Sequence, residues 1–151
     1  GYRTIAAERG IPYTALYAMA LTESGKRVRS ADVYRPWPWT LNVAGEGHFS
    51  ATRIEAWQAL RIWLEQGRRS IDIGLMQVNW RYHRERLGTL WQALDPYHNL
   101  RVGAAILQEC YSNSRDWWVS VGCYHAPANP QRAGKYRRRV QSRWLRLVRE
   151  G

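Results

Sequence analysis

The chain predicts a mainly α-helical single domain with a small β-hairpin element, and three observations carry that prediction. Its 151 residues are 45% hydrophobic, and a chain of this length buries roughly two thirds of its unfolded surface around one core. Apolar residues recur at three- and four-residue spacing in several segments, which is helical periodicity. Glycine and proline fall between those segments, with one short run of strand-forming residues in their midst. No repeat, linker or low-complexity stretch interrupts the pattern, so the domain is read over 1–151.

The elements follow in order. Tyr2 to Arg9 reads as a short helix stopped by Gly10. Pro12 then suits a first helical turn, and Ala15, Leu16, Met19 and Ala20 form an apolar stripe ending at Glu23, with Gly25 as the expected left-handed cap. Lys26 to Phe49 reads as irregular. Pro36-Trp37-Pro38-Trp39 excludes a helix, while Thr40 to Val43 and His48-Phe49 flank Gly45-Glu46-Gly47 as a hairpin. Thr52 and Glu55 fit a capping box, after which Ile54, Trp57, Leu60 and Leu64 line one helical face up to Gly67. Gly74 to Trp80 follows a polar link and enters another short helix. Asp95-Pro96 starts a helix with Leu100, Ala104 and Leu107 inward up to Cys110. Ser114 is the expected cap of Trp117 to Tyr124, Pro127 and Pro130 mark a loop, and a last helix runs from about Ala133 to Val148.

Composition limits the function. Lys+Arg 23 against Asp+Glu 12 leaves +11, more than solubility requires, and implies an anionic partner: nucleic acid, a membrane surface or an acidic polymer such as peptidoglycan. Nine Trp and nine Tyr against one Phe favour aromatics with a polar edge, which suit sugar rings as well as a core. No apolar run approaches the ~20 residues needed to span a bilayer. Gly1 is not an initiator methionine, so the chain reads as mature or trimmed, any export signal being already gone. Cys110 and Cys123 fit no metal spacing and no redox pair. They are either two reduced, buried thiols or one bridge, worth about 3 kcal/mol by loop closure and implying an oxidising compartment.

Little of the remaining chemistry is nucleophilic. His48, His83, His98 and His125 are scattered, without a serine elbow, a metal-spaced pair or a phosphate loop. Glu23 is different. At the C-terminal end of an apolar helix, both the partial negative charge there and desolvation push a carboxyl pKa upward, as a general acid needs. Gly74 begins a turn that delivers the Gln77 amide to a surface. Glycoside cleavage normally uses two carboxylates. Asp72 is the best second one, although a local cap or turn role is the favoured reading of it. Without a second carboxylate, the sugar itself must supply the nucleophile.

Glu23-Ser24, then Gly74-Leu75-Met76-Gln77, then Tyr124 followed by His125 and Ala126, then Tyr136 resemble, in order, the motifs of the family 1 (SLT-type) lytic transglycosylases. The small kind associated with conjugation, type III or type IV secretion systems is the most similar, the Trp39 to Phe49 segment and the Cys110–Cys123 pair included. The resemblance implies a lysozyme-like fold and periplasmic location. It implies cleavage of the β-1,4 bond between N-acetylmuramic acid and N-acetylglucosamine, leaving a 1,6-anhydro end. Glu23 would protonate the leaving oxygen and then act as base on the C6 hydroxyl, with Ser24 beside it. Met76, Gln77 and Asn79 would lie along the cleft, Tyr124 would bond Glu23 or the sugar, and Tyr136 closes the pattern. Where the family has Asn after the tyrosine, this chain has His125, a titratable group. No cofactor or metal is implied. The partners would be glycan strands and components of a secretion or conjugation system, with the protein itself a monomer.

Two rivals differ in class. A muramidase of the same fold would use water in place of the C6 hydroxyl. A basic helical module would bind nucleic acid or an anionic membrane through Arg137-Arg138-Arg139, Arg143, Arg146 and Arg149, though no base-reading signature accompanies them.

Overall fold

The computed structural model describes residues 1–150, so Gly151 lies outside the described residues. Eight helices and six short strands make up the described chain: α1 (Tyr2–Glu8), α2 (Tyr13–Ser24), β1 (Gly25–Val28), β2 (Val33–Pro36), β3 (Thr40–Val43), β4 (Glu46–Phe49), α3 (Arg53–Glu65), β5 (Ile71–Ile73), β6 (Val78–Asn79), α4 (Trp80–Leu87), α5 (Leu90–Ala93), α6 (Pro96–Ser114), α7 (Trp117–His125) and α8 (Pro130–Glu150). Within the span expected as one domain, the chain forms two compact units: Gly1–Thr22 with Ala104–Gly151, and Glu23–Gly103. Helices α2 and α6 contribute residues to both.

In the first unit, α7 and α8 pack together, and Gly122 lets them approach: a Cβ there would stand 3.1 Å from the Ala133 carbonyl oxygen. Tyr136 and Val140 are the buried anchors of α8. Trp144 donates its indole N–H to Thr14 Oγ1 at 3.0 Å and meets Trp118 edge-on. Cys110 and Cys123 form a disulfide, so the bridge is the alternative the chain adopts. Asp116, not Ser114, caps α7: its carboxylate accepts from the N–H groups of Trp118 and Val119, satisfying donors that an open helix end leaves bare. The last helix begins earlier than expected, because the Asn129 side chain caps it at Arg132 N and Pro130 needs no donor in a first turn.

The second unit holds both sheets. β1 and β2 form a two-stranded hairpin, Gly25 opposite Pro36 and Val28 opposite Val33, in the stretch expected to be irregular. Gly25 is therefore not a left-handed cap: α2 runs straight into β1. The four-stranded antiparallel sheet has the order β4-β3-β5-β6. Its hairpin is the expected one, but Ala44 and Gly45 make the turn with positive φ of 53° and 80°, so Glu46 and Gly47 belong to the strand. Ile71, Ile73, Leu41 and Val43 fill the core side of the sheet. Helix α3 is capped by Thr52, whose hydroxyl accepts from Glu55 N, while the Glu55 carboxylate reaches back to Ala51 N. Ala56 and Leu60 carry its buried face; Ile54, expected there, is exposed. Among the described residues, no helix is long and apolar enough to cross a membrane.

Candidate active site

In the second unit the chemistry gathers where α2 ends. Glu23 is half-buried and Ser24 fully buried. The Ser24 hydroxyl donates to the Leu75 carbonyl at 2.8 Å, which ties the end of α2 to the turn after β5. That turn is strained into shape by identifiable contacts. Gly74 has φ of 80°, and its N–H donates to Thr40 O at 2.8 Å. Gln77, also left-handed with φ of 48°, donates its side-chain amide to Thr40 O at 3.0 Å and to Gly74 O at 2.9 Å. The amide that was expected to serve a sugar is thus partly engaged in holding its own turn.

Asn99, which sequence reasoning missed, anchors the whole loop. Its side chain accepts from Met76 N at 2.9 Å and donates to Ile73 O at 2.8 Å and Ala93 O at 3.0 Å, while being fully buried. The signal was available: a carboxamide beside Leu100, on a helix whose inward side is apolar, has to spend its hydrogen bonds on nearby backbone. Gly103 was missed too. A Cβ on it would lie 2.6 Å from Met76 Cβ and Cγ, so only glycine admits that side chain. Met76 was expected along the cleft. The structure buries it completely, so its side chain shapes the turn from beneath.

Asp72 lies on the polar side of the sheet, opposite Asn42 on β3 and Asn79 on β6. Its carboxylate accepts from Asn79 Nδ2 at 3.0 Å. It is a strand residue bonded by a side chain, not the turn or cap residue first favoured. Burial raises its pKa, and the Asn79 bond opposes that rise. Asn79 also donates to Ser70 Oγ and caps α4 by accepting from Tyr82 N.

In the first unit, Tyr124 and His125 end α7, and Tyr136 lies on α8. The His125 ring stacks on Tyr136, centroids 4.4 Å apart and planes within 12°. Desolvation on that side, then the charges of Arg132 and Arg139, lower the His125 pKa. Tyr136 itself is buried, so it supports His125 more than it faces solvent.

A mainly helical fold with a small antiparallel sheet, and a helix-end glutamate beside a glycine-led turn, define a lysozyme-like protein. The family model of the transglycosylase SLT domain matches residues 2–145, and the chain belongs to that family. Its activity class is that of a lytic transglycosylase acting on peptidoglycan. No curated protein and no solved structure matches the chain significantly.

Proposed function

We propose that Glu23 cleaves the β-1,4 bond between N-acetylmuramic acid and N-acetylglucosamine, leaving a 1,6-anhydro muramyl end. One observation supports this above the others: Glu23 is half-buried at the end of α2, and the adjacent Ser24 hydroxyl locks that end to the Gly74–Gln77 turn. A carboxyl so placed gives its proton to the glycosidic oxygen as the bond to the muramyl C1 breaks. The resulting carboxylate then takes the proton of the C6 hydroxyl, whose oxygen closes on C1. No water enters. Gln77 and Asn79 are assigned to the substrate-binding surface of the second unit, Tyr124 and His125 to that of the first. Ser24, Met76 and Tyr136, being buried, position these residues. The protein acts in the periplasm as a monomer, opening the wall locally for a secretion or conjugation apparatus; the disulfide supports an oxidising compartment.

Glu23→Gln tests the assignment. Loss of a general acid and base costs on the order of a hundredfold or more in rate. Clearing of cell-wall sacculi should stop while the melting temperature stays unchanged. A variant that clears sacculi at the original rate removes Glu23 from the chemistry.

Asp72 favours a second reading, hydrolysis. It is a carboxylate on the polar side of the sheet, oriented by Asn79, as a nucleophile or stabiliser in a retaining glycosidase would be. In that case the product end carries one more water, and Asp72→Asn abolishes it.

A further inference from the structure

Helix α8 carries a feature that bond cleavage does not use. Its 21 residues hold eight basic residues against Glu150 alone, a net +7 of the chain's +11. At about 100° per residue, Arg132, Lys135, Arg138, Arg139, Arg146 and Arg149 fall within an arc of roughly 120°, and all six are exposed. Between them lies an open groove of about 580 Å³, lined by Lys135, Arg138, Arg139, Ser142, Arg143 and Arg146. The cations run for roughly 25 Å along the helix at 1.5 Å per residue.

We propose that this arginine stripe is a binding track for the stem-peptide carboxylates of peptidoglycan, a second contact with substrate distinct from the bond-cleaving residues. The proposal rests on the glycan-cleaving reading above, and it deepens that reading. Two observations select this polyanion. The stripe starts beside a residue assigned to the glycan: Arg132 and Arg139 are close enough for their charges to act on His125. A strand held at His125 therefore passes the arginines, and its stem peptides bring carboxylates to them. Guanidinium groups bind carboxylates through paired N–H donors, which suits a polymer with carboxylates along its length. A membrane surface fits less well. An interfacial helix inserts a broad apolar face, whereas α8 buries Tyr136 and Val140 in its own unit and leaves Leu145 and Val148 exposed, too few for such a face.

The test uses Arg138→Gln/Arg146→Gln, two exposed positions outside the bond-cleaving residues. Binding is measured by co-sedimentation with intact sacculi and with glycan strands stripped of their stem peptides by an amidase. The double variant should bind intact sacculi roughly three- to tenfold more weakly, the range expected for two exposed charge contacts. It should match the unaltered protein on stripped strands, and cleave them at the same rate. Raising salt should erase the difference on intact sacculi. Equal binding to intact sacculi, or an equal loss on both substrates, overturns the track. So does a loss confined to vesicles of anionic phospholipid or to duplex DNA. If the unaltered protein cleaves sacculi but the variant shows no binding loss, only the track fails. If it neither binds nor cleaves them, the glycan reading fails with it.

Discussion

His125 stands where two influences act in the same direction. Its ring is partly desolvated where it stacks on Tyr136, though the residue stays exposed, and the Arg132 and Arg139 guanidinium groups disfavour a further positive charge. The folded protein therefore accepts a proton at His125 less readily than the unfolded chain. The stability this contributes is present above the unfolded imidazole pKa of about 6.5 and is lost as pH falls through that value toward the lower folded one. His125→Asn should flatten the acid limb of both the melting temperature and the activity profile, leaving values above neutrality unchanged. An identical pair of profiles would remove His125 from the pH response. At this scale much was readable in advance. A glutamate ending an apolar helix, a glycine ahead of Gln77 and a histidine in an unusual place are all visible as residue types. Which side chains stay on the surface was not. Met76 and Tyr136 are buried because Gly103 makes room for one and α8 carries the other inward, and both facts depend on partners distant in sequence.

Among the elements, the Gly74–Gln77 turn is where local sequence and tertiary contact meet. Gly74 needs its φ of 80°, and a Cβ there would come within 2.6 Å of the Asn99 amide nitrogen. Gly74→Ala thus combines backbone strain of roughly 1–3 kcal/mol with displacement of the buried amide that holds Met76 N. Its melting temperature should drop, and activity should fall further than the lost stability accounts for, because the turn tied to Ser24 is disturbed. A variant as stable and active as the original would show that the turn tolerates rearrangement. The disulfide acts between α6 and α7. With the cysteines thirteen positions apart, Cys110→Ser/Cys123→Ser should cost about 3 kcal/mol by loop closure, and chemical denaturation with and without reductant measures it.

Helices were legible because their apolar periodicity is long enough to recognise. The β1–β2 hairpin was not, since its strands bury Pro36 alone and show no alternation to betray them. β5 and β6, of three and two residues, are too short for a period of two to register. The polar pairing of Asp72 with Asn79 follows from strand register, and so became visible only with the sheet.

For the molecule as a whole, charge and chemistry point to the same substrate. A chain of +11 with most of that charge on one helix is suited to an anionic polymer, and the family to which it belongs acts on peptidoglycan. The family's reaction is ring closure by the sugar's own hydroxyl, and the rival outcome for this chain is attack by water with help from Asp72. The mass of the released muropeptides decides between them. Sacculi digested to completion by the unaltered protein should yield fragments ending in anhydro-muramic acid, one water lighter than their hydrolytic counterparts. Fragments with reducing muramic acid ends, at the full hydrated mass, would contradict the account.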